Sequence, residues 1–189
     1  MMENFLPLAA GKLKSNGGLY CFCSPKNVEL VIPLVRKTGL HYKNLLIWDK
    51  RDWSAGDLQG AYGGRYEMII YAVKSNERKI KRRHGDILSF GGVGRRALKH
   101  PTEKPVRLLK ALLWQSSNKG DLIVDPFLGS CSTGEAALRM GRRFWGCEVE
   151  RKYYEVSLDR IKKWSLSRNG HQIKIPSPVS GGRDLSEES

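Results

Sequence analysis

Two acids, Asp125 and Glu148, stand 23 positions apart, and between them runs Asp125-Pro-Phe-Leu-Gly-Ser-Cys-Ser-Thr-Gly-Glu-Ala-Ala137. A short apolar run, Leu122-Ile-Val124, ends in the first acid, and a second, Phe144-Trp-Gly-Cys147, ends in the other. The Gly-Ser turn lets backbone approach a ligand closely, and the helix that follows begins with unpaired N–H groups. An acid at the end of the second strand can accept both hydroxyls of a ribose. The unit reads as β-loop-α-β and suits a nucleoside-containing cofactor. Each acid also has a plainer reading: Asp125 as a turn former or helix N-cap, Glu148 as a surface acid paired with a nearby arginine.

The elements that must position these acids follow from pattern. Residues 3–14 read as a helix leading to a turn at Asn16-Gly17-Gly18, and Leu19–Cys23 as a strand buried on both faces. A helix is expected over 27–37, kinked or started by Pro33 and closed by Gly39. Strands follow at 45–48 and 66–73, with a Gly-rich loop over 51–64 between them. Val106, Leu109, Leu112 and Leu113 recur at helical spacing after Pro105, so a helix covers 105–117. Leu122–Val124 reads as a buried strand, 135–139 as part of a helix stopped by Gly141, 144–149 as a strand, and 151–165 as a helix. The chain offers five strands on this reading. Residues 1–165 form one domain, and the polar, Pro- and Gly-containing stretch 166–189 reads as a disordered tail.

The 189 residues carry a formal net charge of +14. A polyanion partner, nucleic acid above all, is expected from that imbalance. Half of it sits in 74–99, where nine basic residues face two acids for a net +7. Lys79, Lys81, Arg82, Arg83, Arg95 and Arg96 are the candidate phosphate contacts, interleaved with Gly91, Gly92 and Gly94. The alternative for this stretch is a solvated charged surface. Four cysteines form no C-x-x-C pair and read as buried, reduced thiols. The four histidines show no ligand spacing, so no metal site is expected. No apolar run is long enough for a membrane span and no secretion signal is visible, so a cytoplasmic location is expected.

Asp125-Pro-Phe-Leu-Gly-Ser-Cys-Ser-Thr133 resembles the S-adenosylmethionine motif of the DNA amino-methyltransferases, which make N6-methyladenine or N4-methylcytosine. His100-Pro-Thr-Glu-Lys-Pro105 resembles the motif that precedes it in the circularly permuted β subgroup. Gly141-Arg-Arg-Phe-Trp-Gly-Cys-Glu148 looks like the family's ribose-binding strand. Lys12–Phe22, Asn44–Lys50 and Arg65–Tyr71 resemble later elements of its sheet, so the resemblance runs from about residue 3 to 162. It implies an α/β, Rossmann-like methyltransferase sheet with S-adenosylmethionine as cofactor and DNA as partner. It also implies that Asp125, Phe127, Gly129 and Ser130 line the cofactor site and that Glu148 holds the ribose. Thr102 and Lys104 would lie near the methionine end. The basic stretch 74–99 falls where the family places target recognition.

Two departures stand out. Cys131 occupies a position where the family usually has glycine; its side chain is tolerated if φ is negative and crowds the turn otherwise. More seriously, the 189 residues contain no Asp/Asn/Ser-Pro-Pro-aromatic tetrapeptide. In the family that motif accepts hydrogen bonds from the exocyclic amine and stacks on the flipped base. By analogy with the family's sheet order, the strands missing with it include a central one, between 121–125 and 19–23, leaving two hydrophobic edges.

The expectation is therefore an N-terminally truncated or split amino-methyltransferase of a restriction-modification or prophage-like type: a degenerate prophage-type gene, a mis-called start, or one half of a two-chain enzyme, with a complementary chain or a second copy as its partner. Its catalytic residues are not identified. A non-catalytic DNA-binding or cofactor-binding remnant is the second reading. An unrelated nucleotide-binding enzyme is the third, with a dehydrogenase disfavoured because the turn lacks G-x-G-x-x-G.

Overall fold

The computed structural model describes residues 2–53, 59–60 and 62–165. The expectation of a disordered tail over 166–189 lies outside the described residues. The chain divides into two compact units, Met1–Gly92 and Val93–Ser189.

The first unit contains helices α1 (Met2–Lys12) and α2 (Val28–Lys37) and strands β1 (Gly18–Cys23), β2 (His41–Asp49), β3 (Tyr66–Val73) and β4 (Ile87–Ser89). The strand order is β1-β3-β2-β4. β3 lies antiparallel to both β1 and β2, and β4 runs parallel to β2. Because β3 has a neighbour on each side, its run Met68–Val73 is apolar almost throughout, and Ile69, Ile70, Ala72 and Val73 are fully buried. Ile70 and Ala72 face a core with Leu6 and Ala10 of α1, Val31 and Val35 of α2, and Leu40. Each fully buried aliphatic side chain there contributes about 1.5–3 kcal/mol relative to exposure. On the opposite face Tyr71 stacks on its cross-strand partner Tyr20 at 4.7 Å, and Phe22 meets Trp48 edge-on at 6.5 Å.

Several expectations need correcting here. β1 is half-buried along its length rather than buried on both faces, because it pairs with β3 alone among the described residues. β2 is longer than expected and carries an irregularity between Tyr42 and Asn44. The helix expected over 27–37 is α2, and of the two roles open to Pro33 it is the internal one, since the helix begins at Val28. β4 was not expected: its three residues sit inside the basic stretch, and its pairing with β2 is what extends them.

The second unit contains a 3-10 turn at Arg95–Ala97, then α3 (Val106–Ser116), β5 (Leu122–Asp125), α4 (Ser132–Arg139), β6 (Arg143–Gly146) and α5 (Arg151–Ser165). β5 and β6 pair in parallel, with α4 as the connection. Parallel pairing places Asp125 and Phe127 at the carboxyl end of the sheet, where open α/β sheets bind ligands. Leu108, Leu109, Leu112 and Leu113 form the buried stripe of α3. Arg142 closes the far end of that helix, donating to Ser117 Oγ at 3.1 Å and Ser117 O at 2.8 Å.

β5 is not the buried strand expected. Leu122 and Val124 are 50% and 53% exposed, while Phe144 on β6 is 4% exposed. Register explains the asymmetry: Ile123 pairs with Phe144 on one face, and Leu122 and Val124 project from the other. Among the described residues β5 hydrogen-bonds to β6 alone, so its second edge is also open. β6 ends at Gly146, earlier than expected, and Glu148 stands on the loop beyond it.

Candidate cofactor site

β5 delivers its chain into a tight turn. Asp125 Oδ1 accepts the N–H of Phe127 at 3.1 Å, and the carboxylate also bonds the Thr133 side chain. Burial pushes the Asp125 carboxyl up from its ordinary range, against those two bonds; Glu148 adds to the rise and Lys104 opposes it. Phe127 is 55% exposed. Leu128 folds inward, and its N–H donates to Cys147 O at 3.0 Å, stitching the turn to the loop after β6.

Gly129 is where the turn needs glycine. Its φ is +50°, and a Cβ there would sit 3.3 Å from the His100 ring. Its N–H donates to Glu148 Oε2 at 2.7 Å. Glu148 Oε1 accepts the N–H groups of Val149 and Glu150 at 2.8 and 3.0 Å. The carboxylate expected to hold a ribose is thus fixed in place by three backbone donors and remains partly exposed.

Ser130 is 2% exposed and turned inward. Its carbonyl and hydroxyl accept from Arg160 at 3.2 and 3.1 Å. Arg160 also pairs with Glu103 and Glu135. Neither Arg160, Glu103, Glu135 nor His100 was singled out as a site residue from sequence. Glu103 and His100 lie within the motif at 100–105; for Arg160, a charge beside the apolar stripe of an amphipathic helix, no pattern signalled a role.

Thr102 and Lys104 occupy a turn knit by local bonds. Thr102 N–H donates to His100 Nδ1 at 3.2 Å, Lys104 Nζ donates to Thr102 O at 2.9 Å, and Glu103 Oε2 accepts Lys99 N–H at 2.9 Å. The His100 ring meets Tyr153 of α5 at 4.2 Å. Glycine 129 therefore packs against the same turn that presents Thr102 and Lys104. The expected residues of the second unit are brought together.

Cys131 resolves the first departure against tolerance. Its φ is +60°, left-handed, so the side chain is held in a strained conformation. It is fully buried, and burial pushes its thiol up to about 12. Its Sγ fills the space in which a Cβ on Gly134 would lie, beside the Phe144 ring. The other three cysteines are half-buried rather than buried, and none of the four forms a disulfide.

The candidate phosphate contacts divide between the units. Lys79, Lys81, Arg82 and Arg83 are exposed on the first, and Arg96 is exposed on the second. The side chain of Arg95 lies outside the described residues. No helix among the described residues is long and apolar enough to cross a membrane.

A model of the DNA methylase family matches residues 1–159. The chain belongs to that family. It is 29% identical over 177 residues to the type II methyltransferase M2.DpnII of Streptococcus pneumoniae, covering 85% of this chain and 66% of that protein. It is also 29% identical over 188 residues to the DNA adenine methyltransferase YhdJ of Escherichia coli, covering 79% and 62%. The chain thus spans less than two thirds of the length of these curated relatives. The structure of M1.HpyAVI solved with SAM superposes with a TM-score of 0.75 at 24% identity, over 84% of this chain and 81% of that one. The PvuII cytosine-N4-specific methyltransferase superposes at 0.71 and 18% identity, over 82% and 67%. These superpositions bear out the α/β, Rossmann-like methyltransferase fold expected from sequence.

Proposed function

We propose that the chain is the cofactor-holding part of an S-adenosylmethionine-dependent DNA amino-methyltransferase of the permuted β subgroup, acting in the cytoplasm. Its target is the exocyclic amine of adenine or cytosine. The observation that carries the reading is electrostatic. Glu148 is close enough to Asp125 to add to the cost that burial places on ionising it, and the Gly129 N–H is already committed to Glu148. A pyrophosphate would meet two carboxylates and a pre-empted amide; a sulfonium cation is attracted by the same pair. S-adenosylmethionine fits this donor set, with a sulfonium, a ribose for Glu148 and an exposed aromatic face at Phe127. Lys104, on the turn beside Gly129, suits the carboxylate of the methionine end. The cofactor supplies an activated methyl group; the chain's residues bind and orient it.

The group that holds the target amine lies on a segment that carries the Pro-Pro-aromatic motif and adds a strand along β5, on a second chain or on a longer form of this one. Two features support this. The Pro-Pro-aromatic motif is not in the sequence. β5 presents an open edge and the exposed side chains Leu122 and Val124. The exposed bases of 79–83 and Arg96 contact DNA phosphates.

The test is tritium transfer from S-adenosylmethionine to DNA from a methylation-free host, with and without a complementary segment bearing the motif, and with Asp125→Ala as control. Transfer that needs the segment supports the reading. Transfer by residues 1–189 alone discards the added segment, and cofactor binding without transfer in either case favours a non-catalytic remnant.

A further inference from the structure

Arg160 lies on α5, away from any position that sequence reasoning placed in the site, yet it is the most heavily committed side chain near the cofactor turn. Its Nη1 donates to Glu103 Oε1 at 2.6 Å and to the carbonyl and hydroxyl of Ser130 at 3.2 and 3.1 Å. Its Nε donates to Glu135 Oε2 at 2.5 Å. The three ionic side chains are 12%, 4% and 8% exposed, so these bonds form in a setting that screens them little. One planar guanidinium therefore joins three segments: the turn with Thr102 and Lys104, the turn with Gly129 and Ser130, and α4. The Ser130 hydroxyl closes the triangle with its own bond to Glu103.

The arrangement exceeds what folding alone asks of a buried charge. Glu135 is shared with Arg139, so charge balance asks only Glu103 of Arg160, and the bonds to Ser130 add direction rather than charge; exchanging a buried ion cluster for apolar groups often leaves stability unchanged or raised. The first of these turns is held otherwise by local bonds and the second by its bonds to Cys147 and Glu148, and the two meet where Gly129 packs on the His100 ring. Glu103 sits between Thr102 and Lys104, so moving its carboxylate moves both neighbours. Lysine keeps the charge but offers no fork able to reach three partners at fixed angles.

We infer that Arg160 is a positioning residue. It fixes the spacing between the Thr102–Lys104 turn and the Gly129–Ser130 turn, and through that spacing the grip on the amino-acid end of the cofactor. This rests on the cofactor reading proposed above.

Calorimetric titration of the full chain with S-adenosylhomocysteine and with 5′-methylthioadenosine tests it. The second ligand keeps the adenosine and lacks the amino-acid end. Arg160→Lys weakens S-adenosylhomocysteine about tenfold or more and leaves methylthioadenosine within about twofold, since misplacing one contact by about 1 Å has effects of this size. Ser130→Ala, which deletes one hydroxyl from that network, weakens S-adenosylhomocysteine severalfold and leaves methylthioadenosine within about twofold. It carries the decision if Arg160→Lys does not fold. Parallel loss of both ligands, or no loss of either, makes Arg160 a structural residue only and overturns the inference. Wild-type chain that binds neither ligand overturns the cofactor reading itself, and this assignment with it.

Discussion

Glu148 accepts the Gly129 N–H at 2.7 Å, joining the loop after β6 to the turn after β5. A carboxylate that receives three backbone N–H groups is held in one orientation, with its remaining lone pairs directed outward. The same residue thus shapes the turn and presents an acceptor to a ligand. Glu148→Ala should therefore cost both stability and affinity. Charge-assisted bonds of this kind contribute about 1.5–3 kcal/mol. The expected outcome is a lower unfolding midpoint and an S-adenosylhomocysteine affinity reduced about tenfold or more, with Glu148→Gln intermediate in both. Calorimetry and urea unfolding on the same samples check it; an affinity unchanged in Glu148→Ala would remove the ribose role.

Cys131 offers a sharper stability test. A non-glycine residue in the left-handed region costs roughly 1–2 kcal/mol. Cys131→Gly releases that strain, loses about 1 kcal/mol of buried side chain and adds some unfolded-state freedom. These terms nearly cancel, so Cys131→Gly should lie within about 1 kcal/mol of the parent. Cys131→Val keeps the strained φ, adds β-branching and pushes on Gly134 and the Phe144 ring, for a loss of about 3 kcal/mol. Urea midpoints of the two variants decide it. With its thiol pushed up to about 12, Cys131 should also resist alkylation at pH 8 until the chain unfolds.

Much of this was legible in sequence, for identifiable reasons. β3 was found at Tyr66–Val73 because a strand flanked on both edges must be apolar nearly throughout. Asp125, Gly129 and Glu148 stand out because a turn at a strand end needs small residues and an acid, and the structure brings the three to one turn. β4 was not found, since three residues carry no period of their own and become a strand by pairing with β2. Nor was the exposure of Leu122 and Val124 legible, because apolar residues announce a buried face whether or not this chain supplies what covers it. The departure at Cys131 was visible; the sign of its φ was not.

Asp125 and Glu103 should respond to acid in opposite senses. Burial raises the Asp125 carboxyl above its ordinary 3.8, so between 3.8 and the raised value the folded chain holds a proton that the unfolded chain has released, and above that value both are ionised. Ionisation of Asp125 therefore works against folding above that range. Asp125→Asn should be as stable as the parent or more so at pH 7, and its advantage should vanish as pH falls through the raised value to below 3.8. Burial would also raise Glu103, but Arg160, the Lys99 N–H and the Ser130 hydroxyl outweigh it and hold that carboxyl below 4.5. The stability Glu103 contributes is present above pH 4.5 and is lost as pH falls through its lowered value. Glu103→Gln should therefore be less stable than the parent at pH 7, by about 2 kcal/mol, with the gap closing in acid. Chemical unfolding from pH 7 to pH 3 reads both. Asp125→Asn should also weaken S-adenosylmethionine more than the neutral S-adenosylhomocysteine, by roughly three- to tenfold, because a sulfonium feels the lost carboxylate.

The basic stretch makes a prediction that separates phosphate contact from mere surface charge. Lys79, Lys81, Arg82 and Arg83 are all exposed within five residues of one unit. If they meet DNA, each neutralised phosphate releases counterions, and the logarithm of the binding constant falls with the logarithm of salt by about 0.9 per contact. Replacing all four by alanine should then lower the salt slope by about 3 to 4 and weaken binding to duplexes of any sequence alike. A solvated surface predicts otherwise: weaker binding through net charge alone, with the slope nearly unchanged. Fluorescence anisotropy on two unrelated duplexes across a salt series measures both quantities. A slope that stays put would move the DNA contact elsewhere on the chain, with Arg96 of the second unit the next candidate.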